Sequence, residues 1–506
     1  MRPLPRWALP FLILLFVGGM AIRSYRLNAP FSQYFEIDGA IHGCEFRNLH
    51  RYGFLATRGW PCELRGWRAP GERLPSHASH WPLSLWLNVL FQKAVGIGAS
   101  PMPEWSIRAL SVFSAALTPV LFFLLVRRWT DDHRAAIAAC VSTLLPGAVY
   151  FSQSLTFHVS LTFLLVFAAF LCYVRWREAP TPWRFGGMLL AVACACGSIW
   201  EGYYLVPTLI LFHASSRGAR PWRFTFWILA VALVLAAVLL GWSSLLYVPE
   251  GGLVQRMLFR TTRHPLGTLL AKAFLRVMVY DTPIAACLGA AWLWRAARRG
   301  RGAPISPWML WILLWFAWGL YDLFLVDFWY YHAYAVYPTF VFMSCASADV
   351  GVGFWEAGGR RRRIALLLGM TFLLSCGVSA CLIHRHYLRL RPPAVSEALA
   401  GSLRKMVQPG EDVFTTLFVE PVFVEFYADA KVIREIRSPR RLEEELRNNS
   451  RRRFRWLVLA TPAIGESEDE GVLTEDASFR KWLDAHYVRR EDPPFLYYDL
   501  EHPVNP

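Results

Sequence analysis

The chain of 506 residues is strongly apolar, with 55% hydrophobic residues and a mean hydropathy of +0.31. This content exceeds what the core of a soluble protein requires, so the composition excludes an ordinary soluble protein and predicts a polytopic membrane protein. The net charge of +16 does not indicate a nucleic-acid partner, because the arginines lie in short clusters between apolar runs and not along one polar face.

Eleven apolar runs are predicted to span the membrane, since its hydrocarbon core needs about 20 apolar residues per helix. Arginine clusters occupy every second loop between these runs, as at Arg127 and Arg128. By the positive-inside rule, this alternation predicts a cytoplasmic N-terminus and, with eleven spans, an extracytoplasmic C-terminus. The predicted spans are 7–23, 107–126, 135–153, 158–174, 185–199, 202–214, 224–248, 277–294, 306–325, 333–352 and 364–383.

One more apolar run, from Trp81 to Gly98, is predicted to lie in the interface or to re-enter the membrane. Counting it as a span would move every later arginine cluster to the opposite side. The first run is predicted to be an uncleaved anchor, because Met20 to Arg23 is a poor site for signal cleavage. The excess of arginine over lysine is typical of a GC-rich bacterial genome, so a bacterial inner membrane is the predicted location.

After about residue 384 charged residues flank every apolar segment, which predicts a soluble domain outside the membrane. The predicted division is therefore a membrane domain, 1–383, whose first outer loop is 24–106, and an extracytoplasmic domain, 384–506. Helices and strands alternate in the second domain, which favours a small α/β fold. The predicted helices are 396–406, 420–427, 440–448 and 478–487, and the predicted strands are 413–417, 432–436, 456–460 and 495–500.

Two cysteines, Cys44 and Cys62, lie in the first outer loop. Outside the cytoplasm they are predicted to form a disulfide, and two thiols in a partly buried loop are the alternative. There is no Cys-x-x-Cys motif in the sequence, so zinc held by cysteines is not expected.

Two carboxylates, Glu36 and Asp38, follow the first predicted span, at the edge of the membrane. Ionisable groups there are costly, and most of them pair, face water or perform chemistry. Asp38, His42 and Glu45 recur at helical spacing, so the segment is predicted to be an amphipathic helix with one acidic face. Spacing alone leaves two interpretations open, a solvated helix and a catalytic one.

A longer pattern distinguishes this segment. Asp38-Gly39-Ala40 is followed by Arg47-Asn48-Leu49 and by Tyr52-Gly53. The stretch resembles the first outer loop of the membrane glycosyltransferases that use polyprenyl-phosphate sugars, the GT-C superfamily of protein O-mannosyltransferases and lipid A aminoarabinose transferases. The resemblance implies that Asp38 is the catalytic carboxylate. The family's next residue is Glu, and Gly39 here either shifts that role to Glu36 or indicates a different acceptor.

The Glu36-x-Asp38 pair also resembles the metal-binding Glu-x-Asp of related oligosaccharyltransferases. It leaves open whether a divalent ion, Mg²⁺ or Mn²⁺, is a cofactor, because two carboxylates are only part of a ligand set.

The same resemblance implies which residues bind the donor's phosphate and sugar. In the family, basic residues in the outer loops reach the lipid phosphate, and an aromatic segment precedes a proline. Interfacial arginines and an aromatic belt would give the same composition and stay open as alternatives. The predicted substrate-binding residues are His80, Arg108, Arg263, His264, Tyr330, Tyr331 and His332.

The implied fold is thus a GT-C-type polytopic helical membrane protein with a small C-terminal α/β domain. The implied function is inverting transfer of a sugar from a polyprenyl-phosphate donor to an acceptor hydroxyl or phosphate, outside the cytoplasm. The partners would be that donor, membrane lipids, and an acceptor that is a protein, a lipid or a glycan. The alternatives are a lipid-sugar or polysaccharide transporter, which usually shows broken helices and paired halves, and a non-catalytic membrane subunit.

Overall fold

The architecture comes from a computed structural model of the whole chain. The structure describes residues 3–25, 27–31, 37–59, 62, 64, 66–68, 82–99, 102–154, 158–215, 221–246, 265–299, 305–324, 336–389, 394–417, 419, 421–460 and 477–504.

The apolar part of the chain is helical. Its described helices are α1 (Ala8–Ser24), α2 (Ile37–Ala56), α3 (Leu83–Ala94), α4 (Glu104–Val126), α5 (Asp132–Leu144), α6 (Pro146–Ser154), α7 (His158–Glu178), α8 (Pro182–Cys196), α9 (Leu205–Ala214), α10 (Pro221–Leu246), α11 (Leu266–Arg276), α12 (Pro283–Ala297), α13 (Pro307–Phe324), α14 (Tyr337–Glu356) and α15 (Gly359–Arg389). A 3₁₀ turn (Trp200–Tyr204) precedes α9, and a π turn (Val277–Asp281) follows α11.

Within the described residues, each of the eleven predicted spans overlaps one of these helices, a bent pair of them, or a helix with its adjoining turn. Four described helices are long and apolar enough to cross a bilayer by themselves, and two bent pairs raise that number to six. The chain is therefore a multi-pass membrane protein, while the count of eleven spans stays a prediction. The run from Trp81 to Gly98 contains the shorter helix α3, whose position relative to the membrane also stays a prediction.

The two bent pairs have local causes. Helices α5 and α6 meet at 53° where Pro146 begins the second helix, and the helix ending at Asp281 meets α12 at 111°. Thr282, between them, has φ of +78°, which a β-branched residue rarely adopts. Its hydroxyl accepts a bond from Ala285 N at 3.4 Å, and Pro283 begins α12 without needing a donor. A cap and a proline together fix this sharp bend.

The helical part divides from a second compact unit. The first unit contains residues 1–29, 78–96 and 103–386, and the second contains residues 30–77, 97–102 and 387–506. Helix α2 therefore belongs to the same unit as the C-terminal domain, an association that the sequence pattern did not predict.

The second unit is built on a five-stranded sheet of order β2-β1-β3-β5-β4. Strand β1 pairs in parallel with β2 and β3, while β5 runs antiparallel to β3 and β4. Phe414, Leu457 and Leu496 are core residues. The strands are β1 (Glu411–Thr415), β2 (Val432–Ile433), β3 (Arg453–Ala460), β4 (Tyr487–Asp492) and β5 (Phe495–Pro503), and the helices are α16 (Ala394–Met406), α17 (Pro421–Ala428), α18 (Pro439–Asn448) and α19 (Ala477–His486).

The small α/β fold predicted for the C-terminal part is confirmed. Each predicted helix and strand corresponds to one of these elements, with boundaries shifted by a few residues. Strand β4 was not predicted. Its residues are half-buried at the two ends and exposed between them, so the strand lacks the buried alternation that marks a strand in sequence.

Candidate active site

The backbone of α2 carries the candidate catalytic carboxylate. The helix begins at Ile37, so Asp38 lies in its first turn. Regular helical geometry is interrupted at Gly53, whose φ of +77° and ψ of 170° suit glycine and strain other residues. This explains the glycine of the Tyr52-Gly53 pair. The side chain of Asp38 and the whole of Glu36 lie outside the described residues, so their catalytic roles stay predictions.

Gly39 follows Asp38, at the position where the family carries glutamate, and the packing of Phe31 requires a small residue there. A Cβ atom at position 39 would lie 2.4 Å from Phe31 Cε1 and 2.7 Å from Phe31 Cδ1. The Phe31 ring is 1% exposed, and its centroid lies 5.4 Å from that of Phe426. The space that a side chain at position 39 would need is therefore filled by an aromatic ring.

Two arginines of α2 contact one carboxylate of the C-terminal domain. Arg47 Nε lies 3.0 Å from Asp429 Oδ1, as an ion pair without hydrogen-bond alignment. Arg51 Nη2 donates a very short bond to Asp429 Oδ2. Arg51 also stacks on the Trp67 ring, with its guanidinium carbon 3.7 Å from the ring centroid. We call Arg47, Arg51 and Asp429 the arginine clamp.

The clamp also reaches the end of helix α17. Arg47 Nη1 donates to Phe426 O at 2.9 Å, and Arg47 Nη2 donates to Glu425 O at 3.4 Å. These carbonyls belong to the last turn of α17, where helical partners are missing and the dipole favours a cation. Arg47 of the family-like motif thus caps a helix of the C-terminal domain.

Other motif residues fix the outer loop to α2. Asn48 Nδ2 donates to Cys62 O at 2.9 Å and to Leu64 O at 2.5 Å. Gly66 has φ of +75°, and a Cβ there would lie 2.6 Å from Lys431 N. Leu49 is fully buried. The Arg-Asn-Leu motif therefore has a structural role in this chain, holding α2, the loop and the C-terminal domain together.

The predicted disulfide is not present. Cys44 and Cys62 are two buried thiols. Cys44 Sγ accepts a bond from Arg47 Nη2 at 3.4 Å, and Asn48 holds the backbone of Cys62. The structure contains the alternative, two thiols in this loop, and both are buried. Hydrogen bonds from Asn48 hold the loop to α2 without a covalent link.

The polar face predicted for α2 is partly buried. His42 Nδ1 lies 2.5 Å from Glu45 Oε2, and the Glu45 side chain is 1% exposed. The Glu45 carboxylate is therefore paired with a side chain of its own helix. Glu45, Arg47 and Asn48 are all buried, so part of the polar surface of α2 is packed against protein and not solvated.

A pocket of about 210 Å³ opens beside the clamp in the second unit. Arg404 borders it, and its Nε donates to Tyr427 O at 3.1 Å. The walls combine cationic, aromatic and amide groups with the Asp429 carboxylate. The lining residues are Arg47, Trp67, Ala99, Met102, Arg404, Val407, Gln408, Pro409, Phe426, Tyr427, Ala428 and Asp429.

One predicted phosphate-binding residue, Arg108, lies in the first unit at the start of α4. It is 4% exposed, and its Nη1 donates to Leu27 O at 3.1 Å and, over a shorter distance, to Ala29 O. These bonds tie the segment after α1 to α4. They give Arg108 a structural role, and its contact with a phosphate stays a prediction.

The remaining predicted substrate-binding residues lie outside the part of the chain that the structure describes. Within that part, no group of three or more His, Cys, Asp or Glu side chains is arranged to hold a metal ion. The predicted residues outside it are His80, Arg263, His264, Tyr330, Tyr331 and His332.

Sequence patterns did not identify Arg51, Asp429 or Phe31. Arg47 and Arg51 are spaced by one helical turn, which is a visible signal for a shared partner. Asp429 carries no comparable signal, because it lies 378 residues after Arg51 in the chain.

Burial also perturbs a carboxyl group of the sheet. Asp412 in β1 accepts bonds from Arg452 Nη1 and from the backbone N of Lys431, each at 2.8 Å. Desolvation nonetheless dominates and raises the pKa of Asp412 to about 6, against the lowering effect of Arg452.

Residues 87–214 match the family model described as dolichyl-phosphate-mannose-protein mannosyltransferase. The matched region runs from α3 to α9 and includes Arg108 but not Asp38. Comparison with curated protein sequences gives no significant match.

Solved structures of membrane enzymes share the fold. ArnT from Cupriavidus metallidurans bound to undecaprenyl phosphate has a TM-score of 0.58 at 13% identity, covering 97% of this chain and 98% of its own. The Archaeoglobus fulgidus oligosaccharyltransferase in its apo form has a TM-score of 0.58 at 13% identity, covering 99% and 75%. AglB from the same organism, in complex with an inhibitory peptide and a dolichol-phosphate, has a TM-score of 0.55 at 13% identity, covering 99% and 76%.

At these identities the solved structures establish the fold alone, and the family model adds a likeness to mannosyltransferases for residues 87–214. The chain therefore shares the fold of these enzymes, and residues 87–214 are similar to a family of mannosyltransferases.

Proposed function

We propose that this protein transfers a sugar from a polyprenyl-phosphate-linked donor to an acceptor hydroxyl or phosphate, on the extracytoplasmic side and with inversion. One observation carries the proposal: residues 87–214 match the model of a family described as dolichyl-phosphate-mannose-protein mannosyltransferases. Two proteins of the same fold, bound to undecaprenyl phosphate and to dolichol-phosphate, support a lipid phosphate as the donor's leaving group.

In the proposed reaction, Asp38 removes the proton from the acceptor hydroxyl. The resulting oxygen attacks the anomeric carbon from the side opposite the phosphate, the bond from that carbon to the phosphate oxygen breaks, and the lipid phosphate leaves. Attack from the opposite side inverts the anomeric centre. A positioned base typically contributes about 10²- to 10⁴-fold to the rate. An acceptor phosphate would already be ionised and would need less help from Asp38.

The cationic residues stabilise the leaving group. We assign His80, Arg108 and Arg263 to the donor phosphate, because cations aimed at developing negative charge lower the barrier. His264 belongs to the same outer loop as Arg263 and is assigned to the same phosphate. Tyr330, Tyr331 and His332 are assigned to the sugar ring.

Glu36 and Asp38 are the residues that would supply oxygen ligands to a divalent cofactor, Mg²⁺ or Mn²⁺. When bound, such an ion would neutralise negative charge near the reacting phosphate.

We further propose a bacterial inner-membrane location, with the N-terminus in the cytoplasm and the C-terminal domain outside. Arginine clusters in every second loop between apolar runs support the orientation. The excess of arginine over lysine supports a bacterial source.

The test compares sugar transfer by purified wild type, Asp38→Asn and Glu36→Gln, with polyprenyl-phosphate sugars as donors. Asp38→Asn keeps the size of the side chain but removes the basic oxygen, so turnover should fall by about 10²-fold or more while donor binding persists. Glu443→Gln makes the same chemical change on the exposed face of α18 and is the matched control. Wild-type turnover by Asp38→Asn would refute the assignment of the base.

A lipid-sugar transporter is the second candidate, favoured by one observation. The 111° break before α12 lies beside Asp281, which is fully buried and accepts a bond from Thr339 Oγ1 at 2.5 Å. Broken helices with buried carboxylates occur at the substrate sites of transporters. Movement of a labelled lipid-sugar across proteoliposomes, unaffected by Asp38→Asn, would favour this candidate over the enzyme.

A further inference from the structure

We propose that Asp429 of the C-terminal domain is a positioning residue for catalysis. It holds helix α2, and with it Asp38, through the arginine clamp. The inference rests on the proposed function, and it gives a role to a domain in which the sequence shows no functional motif.

The clamp is a charge arrangement that depends on Asp429. The side chains of Arg47 and Arg51 are 3% and 6% exposed, and that of Asp429 is 19% exposed. One carboxylate thus lies between two guanidinium groups that have little access to water. Without this carboxylate, two buried like charges would face each other across one helical turn, which is strongly unfavourable. Asp429 therefore determines whether the two arginines can stay buried.

The position of Asp429 is itself fixed by helix α17. Its φ of +57° is left-handed, and its N–H donates to Glu425 O at 3.0 Å, which ends the helix. Asparagine adopts this backbone conformation at least as readily as aspartate. The substitution Asp429→Asn therefore removes the charge while preserving the backbone and the size of the side chain.

Arg47 completes the link in the opposite direction. Its bonds to Phe426 O and Glu425 O place a cation on the last turn of α17, so each helix supplies a group that the other needs. Loss of the clamp should let α2 shift along α17. A displacement of about 1 Å of a catalytic group can cost about 100-fold in rate.

Two measurements on the full-length protein in detergent test the proposal. The first is hydrogen–deuterium exchange of α2 in wild type, Asp429→Asn and Glu501→Gln, which breaks an exposed ion pair with Arg453 in the same domain. The second is the kinetics of sugar transfer with a polyprenyl-phosphate sugar donor. For Asp429→Asn we expect exchange of α2 to rise about tenfold or more, with strands β3 and β5 unchanged.

We expect kcat of Asp429→Asn to fall by about 10- to 100-fold while KM for the donor changes by less than about threefold, since the variant misplaces the base without removing a donor contact. Arg51→Lys keeps a cation near Asp429 and should retain most of the activity that Arg51→Gln loses. Glu501→Gln should match wild type in both measurements.

Unchanged exchange of α2 in Asp429→Asn would overturn the proposal whatever its activity. Faster exchange with unchanged kcat would also overturn it, because the clamp would then support only the fold. If the wild type transfers no sugar from any donor, the proposed function fails, and the exchange data still decide whether Asp429 holds α2.

Discussion

Replacing Gly39 tests whether the Phe31 ring fills the space that a side chain at position 39 would need. A Cβ at position 39 would lie 2.4 Å from Phe31 Cε1, whereas carbon atoms pack at about 3.5 to 4.0 Å. The ring would have to move by roughly 1.1 Å or more to restore normal contact. It has little room to do so, because it packs on Phe426 and the Phe31 N–H donates to Tyr427 Oη at 3.0 Å.

Two effects on stability oppose each other in Gly39→Ala. Overpacking a filled core costs about 1–3 kcal/mol. Alanine in a helix gains up to about 1 kcal/mol over glycine. After subtraction of this gain we expect a net loss of up to roughly 2 kcal/mol in the opening free energy of the second unit. Gly39→Glu, which restores the residue typical of the family, should lose more because its side chain is longer and charged.

The control changes the ring and not the helix. Phe31→Val lacks the three ring atoms that a Cβ at position 39 would approach most closely, so Gly39→Ala in that background should keep only the helical gain and become stabilising by up to about 1 kcal/mol. Opening free energies from hydrogen–deuterium exchange of α17 peptides measure both cases. An equal effect of Gly39→Ala in the two backgrounds would refute the steric argument.

Two further predictions concern pH and topology. The pKa of Asp412 is about 6 in the fold and about 3.9 when unfolded, so its stabilising contribution is complete below about pH 4 and is lost as the pH rises through 6. We expect the opening free energy of the second unit to fall by roughly 3 kcal/mol over that pH range, and Asp412→Asn to weaken this dependence on pH. An equal pH dependence of the opening free energy in wild type and Asp412→Asn, measured by hydrogen exchange, would contradict the prediction. A reporter after Arg299 should be cytoplasmic and one after Leu390 extracytoplasmic. Finding both reporters on one side would contradict the eleven-span prediction.

The local pattern of the sequence located the apolar helices and most elements of the C-terminal domain. The length of each apolar run indicates a membrane helix, because a helix that crosses a bilayer needs a continuous run of apolar residues. In the C-terminal domain, Ser438 and Pro439 mark the start of α18 by local chemistry, and the Ser438 hydroxyl accepts a bond from Arg441 N. Strand β4 was not predicted, because its side chains are mostly exposed and show no alternation of buried and exposed positions. The strand forms by pairing with β5.

The partners of α2 were decided only by the tertiary structure. The sequence alone predicted a helix with Asp38 at its start and a conspicuous Arg47-Asn48-Leu49 motif. It did not show that Arg47 and Arg51 meet a carboxylate 378 residues further along the chain, or that Phe31 fills the space above Gly39. Periodicity reports which face of an element is apolar, whereas ion pairs and close packing depend on which distant surfaces the folded chain brings together.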